Sequence, residues 1–146
     1  MCVQETKWKG ARARRLVGGY KLLYVGRDGM SNGMGITVSE EISKQVVRVE
    51  RWAGWIVMAW VVVQRQMFCV MSVYGPQMGR TGAEKQESRD ALVRMMGMVE
   101  LDMMLCIAGD FNVHVGVAEL SEEECVGKFG WGTRNRECQE LVELVW

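Results

Sequence analysis

Apolar residues run in short blocks through the first half of the chain and recur at helical spacing in the second. Met1-Cys2-Val3, Tyr20 to Val25 and Met34 to Val38 have strand length and strand composition. Ser39 to Lys44 predicts a short helical turn. Val46 to Trp52, Trp55 to Val63 and Met67 to Val73 are β-branched and apolar. The last two, split by Gln64-Arg65-Gln66, predict a hairpin. Thr81-Gly82-Ala83-Glu84 has the capping-box pattern, in which Ser or Thr precedes Glu by three positions. Behind it Leu92, Met95, Met96 and Val99 share one helical face. Met103 to Ala108 reads as a buried strand, and Val113 to Trp131 as a long Gly- and Glu-rich loop. A last helix is expected from near Asn135, with Cys138, Leu141, Val142 and Val145 on one face and Asn135 as its cap. Strands first, then helix, strand and helix, suit two sheets packed face to face with helices outside.

Composition narrows the class. A chain of 146 residues is expected to be one domain at most, and its 49% apolar residues are those of a globular protein. The longest apolar run, Trp55 to Val63, is too short to cross a bilayer, and no signal peptide is visible at the N-terminus. No membrane partner is therefore expected. The 5 cysteines form no C-x-x-C pair, and Cys69 and Cys106 lie in apolar runs. They predict buried, reduced thiols in an intracellular protein. A single histidine, His114, argues against zinc. Trp52, Trp55 and Trp60 are expected to be exposed.

The net charge is zero, but it is unevenly spread. Residues 1–52 carry ten Lys/Arg against five Asp/Glu, and residues 53–146 carry eight against thirteen. The basic excess gathers at Lys7, Lys9, Arg12, Arg14, Arg15 and Lys21. Such a cluster is either a solvated basic loop or a contact for a phosphate backbone.

Gly109-Asp110-Phe111-Asn112 follows the run Met103 to Ala108. If the backbone stays extended there, Asp110 and Asn112 point to the same side. A carboxylate and an amide at one point suit a hard divalent ion, or a phosphate with its attacking water. An Asx-turn that merely ends the strand accounts for the pair as well. Glu5, in Gln4-Glu5-Thr6-Lys7, also sits near a strand end. Asn32-Gly33-Met34-Gly35-Ile36 opens another strand, and Tyr74-Gly75-Pro76-Gln77 closes one.

In this order and at these separations, the four segments resemble the endonuclease/exonuclease/phosphatase superfamily. The nearest likeness is to the apurinic endonuclease-like domain of RTE-type non-LTR retrotransposons and its domesticated craniofacial development protein-like relatives. The resemblance runs from about Met1 to Val145. It implies an α/β fold, a partial four-layer α/β sandwich of the DNase I-like kind, with two packed mixed sheets flanked by helices. Residues 1–146 would then be a single domain, incomplete at both ends.

The resemblance also implies a reaction, hydrolysis of a DNA phosphodiester with Mg²⁺ (or Mn²⁺), leaving a 3′-hydroxyl and a 5′-phosphate. Glu5 and Asp110 would serve the metal, and Asp110 would activate or position the attacking water. Asn112 would hold the phosphate and that water. Tyr74 would hydrogen-bond the phosphate, and Lys7 would lie close to the DNA strand. Nuclear action is implied with DNA as partner. Because the segments expected before Met1 and after Trp146 carry further members of the site, the isolated chain is expected to have little or no nuclease activity. Glu5, Tyr74 and Lys7 each also read as ordinary surface or strand-end residues. His114 and the run Glu122-Glu123-Glu124 are expected to be solvated loop residues. Competing readings are a phosphoesterase acting on a lipid or inositol phosphate, a non-catalytic DNA- or protein-binding module, and the inert product of a decayed element.

Overall fold

The computed structural model describes residues 1–26, 33–52, 54–77, 79–117 and 131–145. Asn32, the Glu122 to Glu124 run and Trp146 lie outside them. The chain divides into two compact units, Met1–Phe111 and Asn112–Trp146, each described by itself.

The first unit holds two four-stranded sheets. One contains β1 (Cys2–Gln4), β2 (Gly10–Arg15), β3 (Lys21–Gly26) and β4 (Met34–Val38), in the order β1-β4-β3-β2 with antiparallel pairings. The other contains β5 (Val46–Trp52), β6 (Ile56–Val63), β7 (Gln66–Tyr74) and β8 (Met104–Asp110), in sequence order. There β5, β6 and β7 pair antiparallel, while β8 runs parallel to β7. The sequence foresees all of these strands except β2. Its Gly-Ala-Arg-Ala-Arg-Arg reads as a basic loop but forms an exposed edge strand.

Alternation explains the packing. Val57, Ala59 and Val61 of β6 meet Leu23, Met34, Ile36 and Tyr74 in the core between the sheets. Ile56, Met58 and Trp60 point to the other face of the same strand and are equally buried. Trp60 therefore departs from the exposure expected of it, because β6 is central and covered on both faces, whereas Trp52 is 36% exposed. Trp52 pairs with Ile56 across β5 and β6, and the Arg94 guanidinium lies 5.3 Å from its ring centroid. That contact puts α2 (Gly82–Met96) on the outer face of this sheet. The Thr81 and Glu84 capping box forms as expected. The helix ends at Met96, one turn before the expected Val99.

The hairpin turn is tighter than the sequence implies. Gln64 (φ 51°) and Arg65 (φ 68°) alone make the turn, and Gln66 already pairs with Val63. Two consecutive left-handed residues match the right-handed twist of the flanking strands. Ser39 caps α1 (Glu40–Gln45) through a hydrogen bond from the Ile42 amide.

Four cysteines are described, and all are free thiols. Cys69 is buried as expected, but Cys106 is exposed, because β8 lies at the sheet edge. Burial pushes the Cys69 thiol up from 9.0 to about 11. A thiol that holds its proton more tightly folded than unfolded stabilises the fold below the unfolded value. Stability is thus expected to be full below about pH 9 and to fall as pH rises through about 11. Urea titrations at pH 8 and pH 10.5 check this, and Cys69→Ala should flatten the difference.

In the second unit, α3 (Arg136–Val145) is capped by Asn135, whose Oδ1 accepts from the Cys138 amide at 3.0 Å. The same oxygen accepts from the His114 amide at 3.1 Å. His114 is exposed and lies outside any helix or strand, as expected. Among the described residues, no helix is long and apolar enough to cross a membrane.

Candidate functional site

The C-terminal ends of β1, β7 and β8 bring Glu5, Tyr74 and Asp110 together. Parallel pairing of β7 with β8 sets Tyr74 opposite Asp110. The Gly75 amide donates to the Asp110 carbonyl at 2.7 Å, which extends that pairing by one residue. Glycine is required at 75, since a Cβ there would strike the Phe111 carbonyl. From the other sheet, Gln4 Nε2 donates to the Ser72 hydroxyl at 3.4 Å and aligns β1 on β7. The chain then turns. Glu5 (φ 51°) and Lys7 (φ 54°) are both left-handed, and the Thr6 amide between them donates to the Gly33 carbonyl at 3.0 Å.

Tyr74 is the centre of the arrangement. Its hydroxyl donates to Glu5 Oε1 at 2.9 Å and accepts from Gln77 Nε2 at 3.3 Å. Burial, first, and then the hydrogen bond to Glu5 hold the phenol above its ordinary value of 10.0. The Gln77 donation opposes this, and the charges of Glu5 and Asp110 add to it. Both carboxylates therefore act on one hydroxyl, although Glu5 and Asp110 are themselves exposed. Gln77 is a member that sequence reasoning leaves unassigned; its only signal is its place in Tyr-Gly-Pro-Gln, the segment that closes β7.

Asn112 does not meet the extended-backbone expectation. The strand ends at Asp110, and Asn112 has φ 51°, so the two-residue alternation stops before it. Five described non-glycine residues have positive φ, two of which form the hairpin turn. The other three are Glu5, Lys7 and Asn112, all candidate site residues. Such conformations cost of order 1–3 kcal/mol each and cluster where function holds them. Lys7 is exposed, and its ammonium makes no hydrogen bond or ion pair among the described residues.

The donor set fits a hard cation. Two oxygen-bearing carboxylates face one region, and Mg²⁺ takes one or two carboxylates and keeps waters on its other positions. Among the described residues, no cluster of three or more His, Cys, Asp or Glu could hold a metal ion, which argues against a closed all-protein cage.

No protein-family profile matches the chain, and no curated protein matches it. Solved structures do. A humanized TDP2 of D. rerio carrying 14 mutations is 16% identical, with a TM-score of 0.51 over 80% of this chain and 47% of that one. D. rerio TDP2 complexed with a single-strand DNA product is also 16% identical, with a TM-score of 0.44 over 75% of this chain and 44% of that one. The chain thus spans about half the length of these structures. The first likeness shows the fold, an α/β arrangement of two packed sheets of the DNase I-like kind.

Proposed function

We propose that the chain carries a divalent-metal-dependent phosphodiesterase site of the endonuclease/exonuclease/phosphatase type, directed at DNA. The observation that carries this reading is the Glu5–Tyr74–Asp110 grouping, assembled from three strand ends on a DNase I-like fold. Its finer assignment, an apurinic endonuclease-like domain of the RTE retrotransposon kind acting in the nucleus, rests on the motif resemblance.

Glu5 and Asp110 would hold Mg²⁺ or Mn²⁺, which when bound supplies positive charge against the phosphodiester. Asp110 accepts a proton from the attacking water. That water forms the new P–O bond as the bond to the leaving 3′-oxygen breaks; the 3′-oxygen takes a proton from solvent, giving a 3′-hydroxyl and a 5′-phosphate. Tyr74 stays protonated at neutral pH and donates a hydrogen bond to the phosphate. The Asn112 amide is assigned to hold the phosphate and water. Lys7, whose ammonium makes no ion pair among the described residues, is assigned to the adjoining DNA strand. Because Glu5 already engages the Tyr74 proton, a phosphate must compete with a charge-assisted hydrogen bond. Slow turnover by this chain is accordingly expected.

Supercoiled plasmid with Mg²⁺ or Mn²⁺ tests the chemistry. Any nicking is expected to be slow and to vanish in EDTA and in Asp110→Ala. Nicking that persists in either would contradict the assignment. The exposed basic strand β2 favours a second reading, a non-catalytic DNA-binding module, whose signature is DNA binding that survives both treatments.

A further inference from the structure

We infer that β2 is a contact strip for a DNA backbone, an inference that rests on DNA being the partner of the proposed site. From Thr6 to Arg27 the sequence has no acidic residue and seven basic ones. The strand Gly10–Arg15 is exposed at every position after Gly10. Arg12 and Arg14 pair with Tyr24 and Leu22, on the face away from Leu23, which packs in the core between the sheets. On that outer face the Arg14 guanidinium lies 5.1 Å from the Trp8 ring centroid, and Trp8 packs edge-on against Tyr24 at 5.3 Å. Arg14 is therefore held in place by an aromatic ring. Among the described residues Lys9, Arg12, Arg14 and Arg15 make no ion pair. The Arg51 guanidinium, reaching the Arg12 carbonyl at 3.3 Å, adds positive charge beside them.

Spacing supports a strand of nucleic acid over a compact anion. Residues two apart in a β-strand are separated by about 6.8 Å, so Arg12 and Arg14 can each reach a different phosphate of one DNA strand. The strip starts three residues after Lys7 and five after Glu5, and the register of β1, β4, β3 and β2 puts its first residue, Gly10, at the same end of the sheet as Gln4. A basic edge strand also discourages sheet-to-sheet pairing. That role needs charge alone, however, and not the Trp8 ring against Arg14.

The test measures binding of a fluorescent 20-nucleotide DNA across a salt series. The triple variant Arg12→Gln, Arg14→Gln, Arg15→Gln should lose about 10-fold or more in affinity at low salt. Its slope of log affinity against log salt should shrink by about 2 to 3, at roughly 0.7–0.9 per lost phosphate contact. Replacing the same three by lysine should keep the slope and most of the affinity, which separates loss of charge from loss of folding. A charge-matched variant, Arg65→Gln, Lys85→Gln, Arg89→Gln, should change little. No DNA binding by the parent protein, an unchanged slope in the β2 variant, or an equal loss in the charge-matched variant would overturn the strip. Mn²⁺ binding measured on the same proteins keeps the two readings apart. Its absence with β2-dependent DNA binding sinks the carboxylate site, whereas its presence with β2-independent DNA binding sinks the strip.

Discussion

Gly109→Ala is expected to destabilise the protein by about 2–4 kcal/mol and to disorganise Asp110. Gly109 has φ 153°, a conformation that side chains rarely adopt. A Cβ there would collide with the Val73 carbonyl oxygen and come within 2.8 Å of the Val73 nitrogen and carbonyl carbon. These are backbone atoms of β7, and they cannot yield without opening the parallel ladder. The same ladder sets Tyr74 opposite Asp110, so strain at 109 passes directly to the site. Urea unfolding reads the stability loss. A Tyr74 phenol that titrates nearer its ordinary value in the variant would report the lost coupling, since the Asp110 charge helps to hold it up. Unchanged stability and an unchanged phenol titration would contradict the account.

Trp60→Ala is expected to cost about 3–5 kcal/mol, the range for emptying an aromatic site in a core. Trp60 is 3% exposed on the central strand β6, and its ring lies 4.6 Å from the Arg48 guanidinium. Its neighbours on that face, Ile56 and Met58, are 1% and 0% exposed, so little room exists for collapse around a cavity. Trp52→Ala is the contrast. At 36% exposure, with a cation–π contact to Arg94, it should cost less than Trp60→Ala, about 1–2 kcal/mol. Equal losses in the two variants, compared by chemical unfolding, would mean that the covering of this face is wrongly assigned.

The two tryptophans also mark how far the sequence could be read. Both sit in β-branched runs, and composition treats them alike. Strand order separates them, because β6 is covered on both faces and the end of β5 is not. Local signals held where the physics is local. The Thr81 capping box, the Asn135 cap and the hairpin all formed within a residue or so of their expected places. The strand β2 was hidden because alternating alanine and arginine carries no apolar face to mark it. Cys106 was read as buried for the opposite reason, since an apolar run does not announce that it will lie at an edge.

The candidate site was legible as residue types and not as geometry. Glu5 and Tyr74 are 69 positions apart, and only sheet packing joins them. The left-handed turns at Glu5 and Lys7 have no sequence signature, because neither residue type favours them. At Asn112 the residue type does tolerate such a turn, and that tolerance defeats the argument from an extended strand. Gln77 enters only through its contact with the Tyr74 hydroxyl.

The most direct test of the central claim, that Glu5 and Asp110 form a divalent-cation site around Tyr74, is Mn²⁺ binding followed by electron paramagnetic resonance. The account predicts one bound Mn²⁺ per chain, displaced by Mg²⁺ and lost in both Glu5→Gln and Asp110→Asn. Mn²⁺ binding that survives both substitutions, or no binding by the folded parent protein, would contradict it.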